Sequence, residues 1–317
     1  MDMHSKREMR KNKKMNEDTK NLPSTSINWY PGHMAKTKKM LEEKKDLIDV
    51  VLELVDARIP YSSKISGSED ILKTKPHILV MTKSDLADSD DTKKWSKYYT
   101  DKGYSVVAIN ADNKDDLKRL VNTINNVMQE KLDKKKTKGN NSNLIHACVL
   151  GIPNVGKSTL INRLAGRKVS KVGNNPGITR SLTWLKTNSN IVILDTPGIL
   201  WPKLEQETVA LNLACMSAIK EDILPLDKVA CHILLKLEKF YPEILSSRYN
   251  LENLDDFEEA YNVIARKIGA LNKGGEADYR RVSTYIINEI KLEKIKNITF
   301  DKVEDLWKNK VVEKQKS

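Results

Sequence analysis

One eight-residue string constrains this chain more than any other: Gly151-Ile-Pro-Asn-Val-Gly156-Lys157-Ser158, a G-x-x-x-x-G-K-S match. An apolar run, Leu144–Leu150, precedes it and reads as a buried strand, and a helix is expected from about Lys157 to Ala165. That context is what a phosphate-cradling loop needs. Glycines let the backbone wrap closely enough for consecutive N–H groups to point at phosphate oxygens. Lys157 adds a cation at the terminal phosphates, the Ser158 hydroxyl can ligate Mg2+, and the helix N-terminus adds its positive end. Asn154, Val155, Gly156 and Thr159 join them as candidate nucleotide contacts. Six of the thirteen glycines fall between Gly151 and Gly198, as a site built from backbone requires.

The rest of the chain is read around that loop. Val50–Val55, His77–Met81, Val106–Ile109 and Ile191–Leu194 are further short apolar runs, with helical patterns between several of them, such as Leu117–Met128. This alternation predicts an α/β fold with a mostly parallel sheet. Lys131–Asn143 reads as a polar, flexible connector. Beyond about Glu205 the period changes. Val229, Ile233, Leu237 and Phe240, then Phe257, Tyr261, Ile264, Ile268 and Leu271, then Val282, Ile286 and Ile290, each mark one face of an amphipathic helix. The expected organisation is a basic arm at 1–28, an α/β domain at 29–204 and a small all-helical domain at 205–317.

Two more strand-end motifs bear on the chemistry. Asp195-Thr-Pro-Gly198 closes the strand Ile191–Leu194, where Asp195 can hold Mg2+ through water and the Gly198 N–H can meet a γ-phosphate. In the polar loop Gly166–Arg180, Thr179 supplies a hydroxyl for the same metal. Met81-Thr-Lys-Ser-Asp85 resembles the N-K-x-D element of GTPases. Asp85 would accept two hydrogen bonds from guanine while the Lys83 stem lies along the base. Thr82 replaces the commoner Asn, which predicts weaker bracing of the nucleotide loops. Asn110-Ala111 resembles the S-A element, whose backbone N–H meets the guanine O6.

The base-reading elements precede the phosphate loop, the reverse of the usual GTPase order, so the domain is circularly permuted. With Trp29-Tyr-Pro-Gly-His33-Met-Ala-Lys36 and Val55-Asp-Ala-Arg-Ile-Pro60, the chain resembles the RbgA/YlqF family of circularly permuted GTPases. That resemblance implies a P-loop GTPase domain followed by a small helical domain that contacts rRNA. It also implies potassium-stimulated GTP hydrolysis in late assembly of the large ribosomal subunit, a cytoplasmic location, and a monomer off the ribosome. By motif match Asn154 would coordinate K+. Ile199 stands where many GTPases carry a water-positioning Gln, and the implied substitute is His33, acting as a neutral hydrogen-bond partner of water. The alternative for His33 is a structural anchor. The alternative for the whole chain is an RNA-binding scaffold gated by GTP, with hydrolysis incidental.

Charge sharpens the partner. The net charge is +12 and the pI about 9.3, and the excess sits in the arm, the Lys131–Lys138 stretch and residues 144–204, which predicts salt-sensitive phosphate contact. Residues 205–285 are net acidic, so RNA contact there would need a local patch such as Arg266, Lys267, Lys273, Arg280 and Arg281. Three scattered cysteines argue against a disulfide scaffold and for a reducing compartment. No apolar run is long enough to span a bilayer, so no membrane partner is expected.

Overall fold

The computed structural model describes residues 39–65, 72–139, 142–170, 182–198, 207–219 and 225–306. The sheet has six strands, β1 (Val50–Asp56), β2 (His77–Thr82), β3 (Ser105–Ala108), β4 (Ile145–Gly151), β5 (Thr183–Lys186) and β6 (Ile191–Asp195), in the order β3-β2-β1-β4-β6-β5. Every pairing is parallel except β5 with β6. The helices of this part include α1 (Ser89–Asp101), α2 (Lys114–Thr137), α3 (Lys157–Ala165) and α4 (Glu207–Cys215). β1 lies between β2 and β4 and is buried along its whole length. Strands covered on both faces need apolar residues at nearly every position, which is why they read as continuous apolar runs. On one face Val55, Leu79 and Met81 pack with Trp95 and Tyr99 of α1.

Two elements differ from expectation. β5 falls where no strand was expected, because Thr183–Lys186 is a four-residue edge strand with no buried residue and carries neither an apolar run nor an inward alternation. α2 runs on to Thr137, so the first part of the expected connector is helical. Leu120, Ile124, Met128 and Leu132 repeat every four residues along its buried face. Its lysines are engaged: Lys131 and Lys135 lie 2.7 and 3.7 Å from Asp49, and Lys134 pairs with Glu130 one turn earlier. Basic residues in the last turn also suit the negative end of a helix.

By packing, the described residues fall into two units, one within Trp29–Lys220 and Lys296–Ser317, the other within Glu221–Ile295. This division differs from the expected one at 205. α4 and residues 296–306 pack with the α/β part. Phe300 N donates to Arg58 O at 2.7 Å and Trp95 Nε1 donates to Asp301 O at 3.0 Å.

The second unit is helical: α5 (Leu226–Phe240), α6 (Pro242–Tyr249), α7 (Phe257–Ile268) and α8 (Tyr279–Lys291). Most of the expected faces are buried, with Val229, Ile233 and Leu237 on α5, Phe257, Tyr261 and Ile264 on α7, and Val282, Ile286 and Ile290 on α8. But α7 stops at Ile268, so Leu271, expected on its face, lies beyond the helix and is exposed. Asp256 caps α7 by accepting from Glu258 N and Glu259 N, and Gly269 ends it in the left-handed region at φ 66°. The buried Glu289 of α8 is paired by Arg248 and by Lys294 at 3.3 Å. Of the basic patch, Lys267 is exposed and donates to Arg248 O at 2.8 Å and Asn250 Oδ1 at 2.9 Å.

Candidate active site

The sheet order brings the scattered motifs to one edge. All five parallel strands end on the same side, and their C-terminal ends carry Asn110-Ala111 after β3, Thr82–Asp85 at β2, Asp56 at β1, Gly151–Ser158 after β4 and Asp195–Gly198 at β6. Open α/β sheets bind ligands outside the carboxyl ends of their strands. The base-reading motifs therefore stand at the β3–β2 end and the phosphate-binding motifs at the β4–β6 end, although they are reversed along the chain.

The phosphate loop has the backbone that its glycines predict. Gly156 caps α3 at φ 101°, and Asn154 is also left-handed at φ 59°. Lys157 is buried and donates to Gly151 O at 2.9 Å and Ile152 O at 2.8 Å, so its ammonium closes the loop on itself. Burial lowers its pKa to about 8, while the Asp195 carboxylate opposes the fall. Phosphate oxygens are the natural replacement for those two carbonyls. Ser158 and Thr159 open the following helix and are partly exposed.

Asp195 ends β6 and is nearly buried. Burial raises its pKa, while a 2.7 Å hydrogen bond from Ser170 Oγ to its Oδ2 and the nearby Lys157 oppose the rise. Its other oxygen, Oδ1, is buried with no hydrogen-bond partner among the described residues. That orphaned acceptor suits a cation or its water. No cluster of three His, Cys, Asp or Glu that could hold a metal occurs among the described residues. A hydroxyl and a carboxylate completed by substrate phosphates is the usual Mg2+ arrangement, and Ser158 with Asp195 fits it. Gly198 lies against the loop so closely that an added Cβ would sit 2.9 Å from Pro153 N. The D-T-P-G backbone and the phosphate loop are thus in direct contact.

At the base-reading end, Thr82 Oγ1 lies 2.6 Å from Val155 O and 3.0 Å from Val55 O, tying β2 to the phosphate loop and to β1. Lys83, left-handed at φ 56°, donates from Nζ to Asn154 O at 3.0 Å. Asp85 is exposed beside it. Ser84 N donates to Ile109 O at 3.2 Å, and Asn110 N to Asp116 Oδ2 at 2.7 Å, which sets the two base-reading loops side by side. Asn154 Nδ2 donates to Ser217 O at 2.6 Å. His33 and Thr179 lie outside the described residues.

In the sequence Asp56 stands inside the Val55–Pro60 signature with no role of its own. The structure makes it the partner of Lys83, 3.3 Å away, and of Arg58, which grips both carboxylate oxygens at 2.9 and 2.8 Å. Burial pushes the Asp56 carboxyl up, but Arg58 and Lys83 outweigh it and hold the group well below the usual carboxylate range. The available signal was a charged pair, Asp56 and Arg58, in a run otherwise apolar enough to be core.

Comparison with known proteins decides the family. The family described as "50S ribosome-binding GTPase" matches residues 146–255. Ribosome biogenesis GTPase A of Bacillus licheniformis is 46% identical over 281 residues, 88% of this chain and 99% of that protein. The chain belongs to the ribosome biogenesis GTPase A family. The family member of Thermotoga maritima is 31% identical over 88% of this chain and 96% of its own length. The crystal structure of GNP-bound YlqF from T. maritima superposes with a TM-score of 0.61 at 25% identity, covering 84% of this chain and 98% of that one. A GDP-bound structure of T. maritima YlqF gives 0.60 at 26%, covering 84% and 99%. The fold is the circularly permuted P-loop GTPase domain with a helical C-terminal region, and the chain is a GTPase that assists ribosome assembly. No helix among the described residues is long and apolar enough to cross a membrane.

Proposed function

We propose that this GTPase acts in the cytoplasm on the precursor of the large ribosomal subunit, as a monomer off the ribosome, in late maturation. It binds the particle and its rRNA in a nucleotide-dependent way. The observation that carries this reading is the convergence of four permuted motifs on one sheet edge, in a chain 46% identical to a ribosome biogenesis GTPase. The description "50S ribosome-binding GTPase" supports the choice of subunit.

In this reading Asp85 selects guanine, with Lys83 along the base and the Asn110-Ala111 backbone at O6. The N–H groups of Asn154 to Thr159 and the Lys157 ammonium face the phosphates, where they stabilise charge that develops as the terminal P–O bond breaks. Ser158, Asp195 and, outside the described residues, Thr179 hold Mg2+, which when bound neutralises phosphate charge. Asn154 holds K+. Gly198 N–H meets the γ-phosphate. His33, brought close on the ribosome, orients the attacking water as a neutral imidazole. The basic arm and residues 144–204 contact rRNA phosphates.

The deciding experiment is GTP turnover with and without purified large subunits, in K+ and in Na+. The expectation is acceleration by the subunit, larger in K+. No stimulation by the subunit overturns the ribosomal role, and no cation difference overturns the Asn154 assignment. If ribosome-stimulated turnover survives His33→Ala while subunit binding collapses, His33 is an anchor.

A further inference from the structure

Away from the nucleotide loops, a dense set of buried polar contacts centres on Asp301. Its Oδ2 accepts Tyr61 N at 2.9 Å and Ser62 N at 2.7 Å, and its Oδ1 accepts Ser62 Oγ and Asn212 Nδ2, both at 2.8 Å. Asn212 Nδ2 also donates to Ser62 Oγ at 3.0 Å. Asp301, Ser62 and Asn212 are all buried. Four donors from two segments, the loop after β1 and helix α4, converge on one carboxylate carried by a third, the C-terminal stretch. A buried acceptor used this fully fixes both the geometry and the polarity of its neighbours.

The node is part of a closed circuit. Asn212 lies on α4, the first described element after D-T-P-G, and the turn that ends α4 offers Ser217 O to Asn154 of the phosphate loop at 2.6 Å. From Asn154 O the path runs to Lys83 Nζ and on to Asp56 and Arg58. Arg58 O then accepts Phe300 N, next to Asp301 itself. A shift of α4 is therefore resisted at its middle by Asp301 and is felt at its end by the phosphate loop.

We propose that Asp301 is a positioning residue for GTP hydrolysis: through Asn212 it fixes α4, and through α4 and Ser217 it fixes Asn154 of the phosphate loop. None of the four hydrogen bonds above reaches a nucleotide-reading motif, so its effect falls on the rate of the chemical step more than on GTP binding. The proposal rests on the GTPase activity of the family and not on any ribosomal partner, so a failure of large-subunit stimulation leaves it standing.

The test uses the full chain, with intrinsic GTP turnover measured well below the thermal midpoint. Asn212→Ala cuts the α4 arm and leaves the Asp301 contacts to Tyr61 and Ser62 in place. The expected result is a fall in kcat of about fivefold with KM held within about twofold. Asp301→Asn sets an amide donor against the Asn212 donor and gives the same loss. Combining Asp301→Asn with Asn212→Asp reverses the polarity of the pair, with Ser62 donating to residue 212 and accepting from residue 301, and restores kcat to within about threefold of the native chain. An unchanged kcat in Asn212→Ala, even with a lowered midpoint, makes the node a purely structural one and overturns the proposal. So does a double variant, folded by circular dichroism, that turns over no faster than the single ones. If Asp301→Asn does not fold, the kcat of Asn212→Ala decides alone.

Discussion

The hydroxyl of Thr82 lies 2.6 Å from the carbonyl oxygen of Val155, a contact between base-reading and phosphate-binding motifs that are 73 residues apart in the chain. Thr82 was expected to brace the nucleotide loops weakly for want of an amide fork. Instead its single proton is shared between Val155 O and Val55 O, on two different segments. Thr82→Val keeps the shape and removes the hydroxyl. It should cost about 1–3 kcal/mol of stability by leaving a buried carbonyl unpaired, and it should weaken GTP binding. Urea denaturation of the nucleotide-free chain and a nucleotide titration check the two effects, and a variant as stable as the native chain refutes the bracing role.

What could be read beforehand, and what could not, follows from how local each signal is. The phosphate loop, β4, β6 and the amphipathic faces of α5, α7 and α8 are written in consecutive or near-consecutive residues. β5 was missed because an exposed edge strand buries no residue to reveal it. The end of α2 was missed because Lys134, Lys135 and Lys136 look like a linker until Asp49, from another segment, joins Lys131 and Lys135. Asp301 is separated from Tyr61 by 240 residues, and no short-range pattern announces that contact. Asp56 stood inside a recognised signature, yet its partnership with Lys83 depends on β1 and β2 pairing with Asp56 opposite Thr82.

Asp56 should be the costliest charge to remove near the site. It and Arg58 are buried, and Lys83 also leans on it. Asp56→Asn removes the buried charge that Arg58 grips at both oxygens and that Lys83 approaches to 3.3 Å, a change worth about 3–5 kcal/mol of destabilisation. Guanidinium denaturation measures it directly. Arg58→Lys should recover little, because an ammonium cannot replace the two parallel N–H bonds to the carboxylate. A near-neutral Asp56→Asn would show that the pair is not needed to hold the Lys83 loop.

The pH dependence of the nucleotide-free chain should carry the signature of Lys157. Burial lowers its pKa from 10.5 to about 8 in the folded state. Between those values the unfolded chain binds more protons than the folded one, so stability rises with pH across that window and the unfavourable term is complete below it. Bound phosphates would favour the charged ammonium and flatten the slope. Thermal midpoints from pH 7 to 10, with and without GDP, and for Lys157→Met, check this. The variant should lose the rise, and a rise retained in Lys157→Met would assign it to another group.

Acid should act through Asp49. Burial raises its pKa, but the 2.7 Å bond from Lys131, the His146 backbone N–H at 2.9 Å and the Lys135 charge outweigh it, and the net shift is downward from 3.8. A carboxylate with a depressed folded pKa adds stability above its unfolded pKa, and that stability is lost as pH falls through the folded value. Below pH 3.8 the native chain should therefore lose the stabilisation that Asp49→Asn has already lost at neutral pH. The comparison is the difference in unfolding free energy between the two chains, followed from pH 6 downward. It should shrink toward zero as Asp49 protonates, because the neutral acid and the amide then offer Lys131 similar acceptors. A difference that stays constant into the acid range would mean that Lys131 and Lys135 do not depend on the Asp49 charge. Those lysines would then be available to phosphate ligands, and Lys131→Ala should lower the salt dependence of RNA binding.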